Sequence, residues 1–168
     1  PIPNHSYVAS VDPSRGLGLD ASAMTIIDVT EFPYRLVAKY RSTTIDPLIF
    51  PNIIYNAAKQ YNNAFVLIEI NDNGQQIANM LHFDLEYENI FKMELQNKTG
   101  PGQQLSPGFK KKIQLGVRTT ESLKRIGCSN LKTIIEHDKL LVEDFHTISE
   151  FSTFVQQKAS YAAEPGYK

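Results

Sequence analysis

The chain has 168 residues, 42% of them hydrophobic, with a formal net charge of −1 and a single cysteine, Cys128. That is enough apolar material for one real core and too little length for two full domains, while one cysteine excludes an intrachain disulfide and no apolar run approaches the ~20 residues that span a bilayer. The sequence therefore reads as one soluble domain of a reducing compartment with no membrane partner; its start, Pro1-Ile2-Pro3-Asn4, has neither an initiator methionine nor a signal-peptide pattern, so a domain cut from a longer protein is expected.

In chain order, three strands are predicted first: His5 to Asp12, Ser22 to Thr30 and Tyr34 to Ser42, each rich in Val, Ile, Tyr or Thr and broken by Gly or Pro. The short connection Glu31-Phe32-Pro33 implies antiparallel hairpins. Asp46-Pro47 supplies an N-cap and a proline at the first helical position, and Leu48, Ile49, Ile53, Ala57 and Tyr61 keep the helical period despite Pro51, which predicts a helix from Asp46 to Tyr61. Ala64 to Ile70 is a short apolar run of the kind that forms a central strand covered on both faces. A helix from Gln75 to Asp84 and a strand from Asn89 to Met93 follow. Between Leu95 and Gly116 the periodicity dissolves into Thr99-Gly100-Pro101-Gly102 and Ser106-Pro107-Gly108, giving a long loop or an irregular hairpin. Leu123, Ile126, Leu131, Ile134 and Ile135 restore helical spacing, with Gly127 as a bend or a division. Leu140 to Val142 reads as a last short strand, and Ile148, Phe151 and Val155 mark a closing helix. This order predicts an α/β fold: a mixed sheet, its first three strands antiparallel, with helices on both faces.

Charge is distributed unevenly along the chain. From Leu95 to Lys132, eight basic residues (Lys98, Lys110, Lys111, Lys112, Arg118, Lys124, Arg125 and Lys132) face one acid, Glu121, a net of +7; with −1 overall, the remainder carries −8. A basic segment on an acidic body is an electrostatic footprint for a polyanion such as DNA, although a solvated loop and helix face would leave the same pattern.

Two acids carry the chemical reading. Asp12 closes an apolar strand and is followed by Pro13-Ser14-Arg15-Gly16-Leu17-Gly18, which leaves its carboxylate at the strand's open end, where a turn-initiating aspartate would equally sit. Glu69 interrupts Phe65-Val66-Leu67-Ile68 and Ile70 where the middle of a sheet is expected, and a carboxylate buried there must be ion-paired, turned outward by the pleat, or bound to a metal. If the two strands are neighbours, Asp12 and Glu69 converge on a hard divalent cation, and two such ions ~4 Å apart activate a water and stabilise the leaving oxygen of a phosphodiester. Asp20 either supports that site from one step away or closes an Asx turn, and Arg15 pairs with a carboxylate, touches a phosphate or lies in solvent. His5, His82, His137 and His146 have no ligand-like spacing, Cys128 reads as packing, and the absence of a Gly-x-x-x-x-Gly-Lys-Ser/Thr stretch excludes ATP hydrolysis by this chain alone.

Ser10-Val11-Asp12 with Gly16, Gly18 and Asp20, then Thr25-Ile26-Ile27-Asp28-Val29-Thr30, Leu67-Ile68-Glu69-Ile70-Asn71, Asp84-Leu85-Glu86-Tyr87-Glu88, Gly127-Cys128-Ser129 with Leu131-Lys132, and Ala162-Ala163-Glu164 with Gly166-Tyr167, occur in this order through nearly the whole chain. Together they resemble the C-terminal nuclease domain of the large terminase subunit of T-even-like tailed bacteriophages. The resemblance implies a ribonuclease-H/RuvC-like fold and an endonuclease dependent on Mg²⁺ or Mn²⁺, two ions in the complete domain, that cuts concatemeric double-stranded viral DNA during packaging. It places the family's first two metal ligands on Asp12 and Glu69, and the third, which follows a Gly-Tyr-x lead-in, just past Gly166-Tyr167-Lys168, with Asp144 and Glu164 as in-chain substitutes. One departure is Arg15, at a place where a family relative carries an acid. Implied partners are duplex DNA, an ATPase domain of the same full-length chain, the capsid portal and a small terminase subunit, in the cytoplasm of an infected bacterium and transiently at the portal. Two other readings stay open: a different nuclease of the same fold, such as a junction resolvase or a hybrid-cutting ribonuclease, and a non-catalytic module that grips DNA or docks on the portal.

Overall fold

The computed structural model describes residues 1–18, 20–95, 112–157 and 160–164. β1 (Tyr7–Asp12), β2 (Ser22–Asp28) and β3 (Tyr34–Ser42) form an antiparallel meander. α1 (Phe50–Gln60) then returns the chain across the sheet so that β4 (Phe65–Ile68) joins β1 in parallel, the connection a parallel pair requires. α2 (Gly74–Asn79) runs on into a π-helical turn, Met80–Asp84. β5 (Lys92–Leu95) and β6 (Lys112–Leu115) pair as the two arms of a hairpin. α3 (Glu121–Glu136), β7 (Leu140–Leu141) and α4 (Phe145–Thr153) follow, and β8 (Phe154–Gln157) pairs with β9 (Ser160–Ala163). The main sheet is five-stranded and mixed, in the order β4-β1-β2-β3-β7.

Alternation along the strands decides the two faces. Tyr7, Ala9 and Val11 of β1, Met24 and Ile26 of β2, and Val66 and Ile68 of β4 point to one side, where Phe50, Ile54 and Ala58 of α1, Ile77 and Ala78 of α2, and Leu81 close over them in one buried cluster. Tyr87 is buried there as well and donates its hydroxyl to Ala64 O at 2.7 Å, so its polar tip is satisfied inside the core.

The opposite face, carrying Ser10, Thr25, Lys39 and Leu67, is covered by α3 and α4, of which no residue is buried. A cavity of about 390 Å³ remains between Thr25, Ile27 and Lys39 on the sheet side and Leu131, Thr147 and Phe151 on the helices. This layer is tied to β3 by the two-residue strand β7 and by Asp144, the N-cap of α4. Asp144 accepts the Thr147 N–H at 2.7 Å and pairs with Lys39; the Lys39 ammonium first, and then Thr147, hold its carboxyl well below the usual range.

Several elements differ from their sequence expectation. The helix expected from Asp46 begins at Phe50, because Pro51, which has no N–H to give, must lie in the first helical turn. Asp46 closes a separate turn before it, accepting Leu48 N–H on Oδ1 at 2.8 Å and Ile49 N–H on its carbonyl at 2.9 Å. The expected strand Ala64 to Ile70 is regular only over Phe65–Ile68, and the strand expected over Asn89 to Met93 is a single bridge at Ile90 followed by β5. Gly127 neither bends nor divides α3; a Cβ there would meet nothing within 4 Å. Val155 belongs to β8 rather than to the closing helix.

The unequal burial of the two layers has a direct consequence for stability. Ile54→Ala, at a fully buried position, is expected to cost about 2–5 kcal/mol in urea unfolding, whereas Ile126→Ala, on exposed α3, is expected to shift stability by less than about 0.5 kcal/mol.

Candidate active site

β1 and β4 run parallel with Val8 opposite Phe65, Ala9 opposite Val66, Ser10 opposite Leu67 and Val11 opposite Ile68. The next step of that ladder brings Asp12 beside Glu69, and it is closed by Glu69 N–H donating to Val11 O at 2.9 Å. Since Val11 and Ile68 both point into the core, Asp12 and Glu69 both point to the other face, at the carboxyl ends of adjacent strands. In an open α/β sheet that edge is where ligands bind.

Glu69 was expected inside the sheet; it lies instead at the mouth of β4 and is half-buried. After Ile68 the strand leaves the regular ladder and exchanges backbone bonds with the segment after β6: Val117 N–H donates to Ile68 O and Ile70 N–H to Val117 O, both at 2.8 Å. Asn71 then fixes the carboxylate, its Nδ2 donating to Glu69 Oε1 at 2.7 Å and to Thr119 O at 3.2 Å. The following turn is packed tightly. A Cβ on Gly74 would sit 1.9 Å from Glu69 O, so only glycine lets α2 start directly behind the acid.

Asp12 is open to solvent on one side, yet the protein around it removes enough water to push its carboxyl up; the charge of Glu69, a hydrogen bond shared with Glu69 and the charge of Asp20 add to this, and the result is about 6. The charge on Asp12 is thus disfavoured first by burial and then by the acids beside it. Asp12 and Asp20 line an open cavity of about 640 Å³ together with Pro13, Ser14, Arg15 and Asp72. The donors facing it are hard oxygens whose mutual repulsion a divalent cation would relieve, so the pair fits a hard metal ion in kind. Among the described residues no third His, Cys, Asp or Glu joins them to make a three-ligand cluster. Asp144, one in-chain substitute, is committed to Lys39 and the cap of α4, and Glu164 does not reach the pair either.

Of the basic residues singled out from the sequence, Lys98, Lys110 and Lys111 lie outside the described residues, as does the Gly166-Tyr167-Lys168 lead-in, and Lys112 opens β6. Arg118 is exposed and directly follows Val117, the residue bridged to Glu69. Lys124 lies over the Phe154 ring at 5.7 Å, and Arg125 is exposed on α3. The histidines stand away from the acids: His5 contacts Asp28 at 2.6 Å, His82 the carbonyl of Tyr87 at 3.0 Å, and His137 that of Thr133 at 2.7 Å. Arg15 pairs with Asp72, an acid given no role in the sequence reading. Asn71 was likewise overlooked as a positioning group; its only signal is its place two residues after Glu69, on the same side of an extended segment.

A mixed sheet of this order, with helices on both faces and two acids meeting at the carboxyl ends of β1 and β4, defines a ribonuclease-H-like α/β domain. Residues 9–160 match the family model described as "Terminase RNaseH-like domain", and the chain belongs to that family. Among solved structures it is similar to the crystal structure of the large terminase nuclease from thermophilic phage G20c, with a TM-score of 0.68 and 15% identity over 99% of this chain and 76% of that one. The form with bound magnesium gives 0.69 and 14% over 96% and 72%, and the form with bound cobalt 0.69 and 16% over 99% and 76%. At such identities the likeness is one of fold.

Two predictions follow from the geometry of the acids. In the metal-free protein, Asp12 keeps its proton up to about pH 6 when folded against an ordinary value of 3.8, so its contribution is harmless below about pH 4 and stability is lost as pH rises through 6. Asp12→Asn removes this loss: in EDTA its urea midpoint should exceed that of the unsubstituted protein at pH 7 and converge on it at pH 4, and a difference independent of pH would refute the raised Asp12 carboxyl. Gly74→Ala should destabilise by about 1–3 kcal/mol through overpacking against Glu69, seen as a lower thermal midpoint.

Proposed function

We propose that this chain is the metal-dependent nuclease domain of a phage large terminase subunit, cutting concatemeric double-stranded DNA into genome lengths, with Asp12 and Glu69 as cation ligands. The observation that carries the reading is the meeting of those two carboxyls on one face at the ends of adjacent parallel strands. Membership in the terminase family favours this substrate over the others open to the fold, and the magnesium and cobalt in the G20c structures favour a divalent cation. Mg²⁺ or Mn²⁺, as two ions in the complete domain, is the proposed complement. The T-even-like affinity rests on the ordered segments from Ser10-Val11-Asp12 to Ala162-Ala163-Glu164.

In this reading the chain's own groups divide the labour. Asp12 and Glu69 supply hard oxygen ligands, and Asn71 keeps the Glu69 carboxylate from rotating away. Asp20 adds negative potential at the cavity wall. Arg118, beside Val117, meets the phosphate backbone, with Lys124, Arg125 and the lysines at 98 and 110–112 extending the basic track. A divalent cation bound there supplies Lewis acidity, lowering the pKa of a coordinated water and neutralising charge on the leaving oxygen. Residues 1–168 act as one nuclease unit, coupled in the packaging motor to an ATPase domain of the same full-length chain, to the small terminase subunit and to the capsid portal, in the infected host's cytoplasm.

Plasmid linearisation in Mg²⁺ tests the reading. Asp12→Ala and Glu69→Ala are each expected to reduce cutting by at least about 10²-fold with the far-ultraviolet circular dichroism unchanged; full activity in either variant disproves it. Linear duplex should be cut in preference to a four-way junction or an RNA–DNA hybrid. Preference for the junction would point to a resolvase, and salt-sensitive DNA binding indifferent to both Mg²⁺ and Glu69 to a non-catalytic docking module.

A further inference from the structure

The turn after β1 and the turn after β4 face each other across the acidic cavity, and two side-chain bridges join them. Asn73 Nδ2 donates to Ser14 O at 2.9 Å. Arg15 donates twice to Asp72, from Nε to Oδ2 and from Nη2 to Oδ1, each at 2.6 Å. That is the fork-on-carboxylate geometry in which arginine and lysine are least interchangeable. Both partners are exposed, at 67% and 48% of their side chains, and an ion pair in such surroundings adds little to stability while it freezes two mobile side chains. Bracing the fold is therefore a poor account of it.

What the pair does accomplish is orientation. A guanidinium carries five N–H donors along two usable edges, and Asp72 takes the Nε–Nη2 edge. Nη1 has no part in the pair, and Arg15 lines the same cavity as Asp12 and Asp20. Both backbones are pinned. Next to Arg15, Gly16 has φ +69° and a Cβ there would lie 2.3 Å from Ile45 O. Asp72 itself occupies the left-handed region at φ 53°. An arginine held by Asp72 along one edge and lining the cavity is preorganised to offer its remaining donors to the oxygens of a phosphate.

We infer that Arg15 holds a backbone phosphate of the duplex next to the point of cutting, and that Asp72 positions it for this. The inference rests on the proposed nuclease reading only in taking DNA as the polyanion, and it adds a contact outside the basic segment from Leu95 to Lys132.

Binding of a labelled linear duplex, followed by fluorescence anisotropy in EDTA over a range of salt, and steady-state cleavage in Mg²⁺ test it on the whole chain. Arg15→Gln should weaken binding roughly tenfold and lower the slope of log affinity against log salt by about 1, raising KM with little change in kcat. Arg15→Lys should keep the slope and recover only part of the affinity, because the fork is gone. Asp72→Asn gives an outcome of opposite sign under the two accounts. Removing an acid near DNA would by itself lower KM, whereas loss of the positioned edge raises it, so an unchanged or lower KM overturns the inference even if Arg15→Gln fails to fold. A lower thermal midpoint for Arg15→Gln with salt slope and KM unmoved reduces the pair to a brace and also overturns it. If the unsubstituted chain binds and cuts duplex while Arg15→Gln behaves identically, only this inference falls; if the unsubstituted chain does not cut duplex in Mg²⁺, the nuclease reading falls with it.

Discussion

The register of β4 against β1 is the constraint on which the site depends. With Val11 opposite Ile68, the apolar residues of both strands enter one core and the two acids that follow them leave it together. A slip of one residue would exchange the faces, driving Leu67 and Glu69 toward Phe50 and Ile54 while Ile68 turned to water. Burying a carboxylate there is far more costly than the loss of any one contact. The hydrophobic core thus sets which acids meet without itself containing either of them. Because β1 and β4 are parallel, they also end at the same edge, and α1 is the element that makes the parallel return possible.

The two layers on the sheet divide stability unequally. α1, α2 and the π-helical turn place Phe50, Ile54, Ala58, Ile77, Ala78 and Leu81 against the sheet with little or no exposure, whereas α3 and α4 bury no residue completely and leave a cavity above Thr25 and Ile27. The acids stand on the face of the second, looser layer, but the groups that fix them come from the first. Gly74 packs α2 against the Glu69 carbonyl, and Asn73 ties the start of that helix to Ser14. The site edge is held by the well-packed half of the molecule even though it opens on the other half, as a preorganised site requires.

Much of this arrangement was legible in the sequence, and the exceptions share a cause. Strand alternation and turn residues marked β1, β2 and β3 within two residues, since an antiparallel meander is specified by local signals. Asp12 and Glu69 were identifiable because each breaks an apolar run. What the runs could not reveal was where Glu69 lay along its strand: the choice between interior and end was made by Val117, 48 residues later, whose backbone takes over the pairing. The start of α1 was placed at Asp46-Pro47, whose turn chemistry resembles a helix cap, but Asp46 closes a separate turn and the helix begins at Phe50. The β8–β9 pair had no turn signal, there being no Gly, Pro, Asn or Asp between Phe154 and Ala163. Arg15 and Asp72 lie 57 residues apart, and no periodicity couples two turns at that distance. Contacts between loops are fixed by the fold after it forms, so they are the last thing a pattern of residues discloses.

The electrostatics of the site explain why it is organised as a conflict. Asp12, Asp20 and Glu69 bring acids together at one edge of the sheet, and burial first, then the charges of Glu69 and Asp20, lift the Asp12 carboxyl to about 6. For a polyanion such as DNA, the cavity in this state is repulsive. Among the described residues the basic group on its wall is Arg15, which is exposed, as is Arg118 next to the bridge with Glu69, so their pull is weakened by salt over about 10 Å. Neutralising the acids therefore relieves internal repulsion and removes the barrier to a phosphate in the same step. In the proposed reading this couples the two ligands thermodynamically: a cation and a duplex each make room for the other, by the reciprocity that any binding linkage obeys. In that reading the cavity holds the backbone less tightly without a cation, so that cutting would be confined to the fully assembled site.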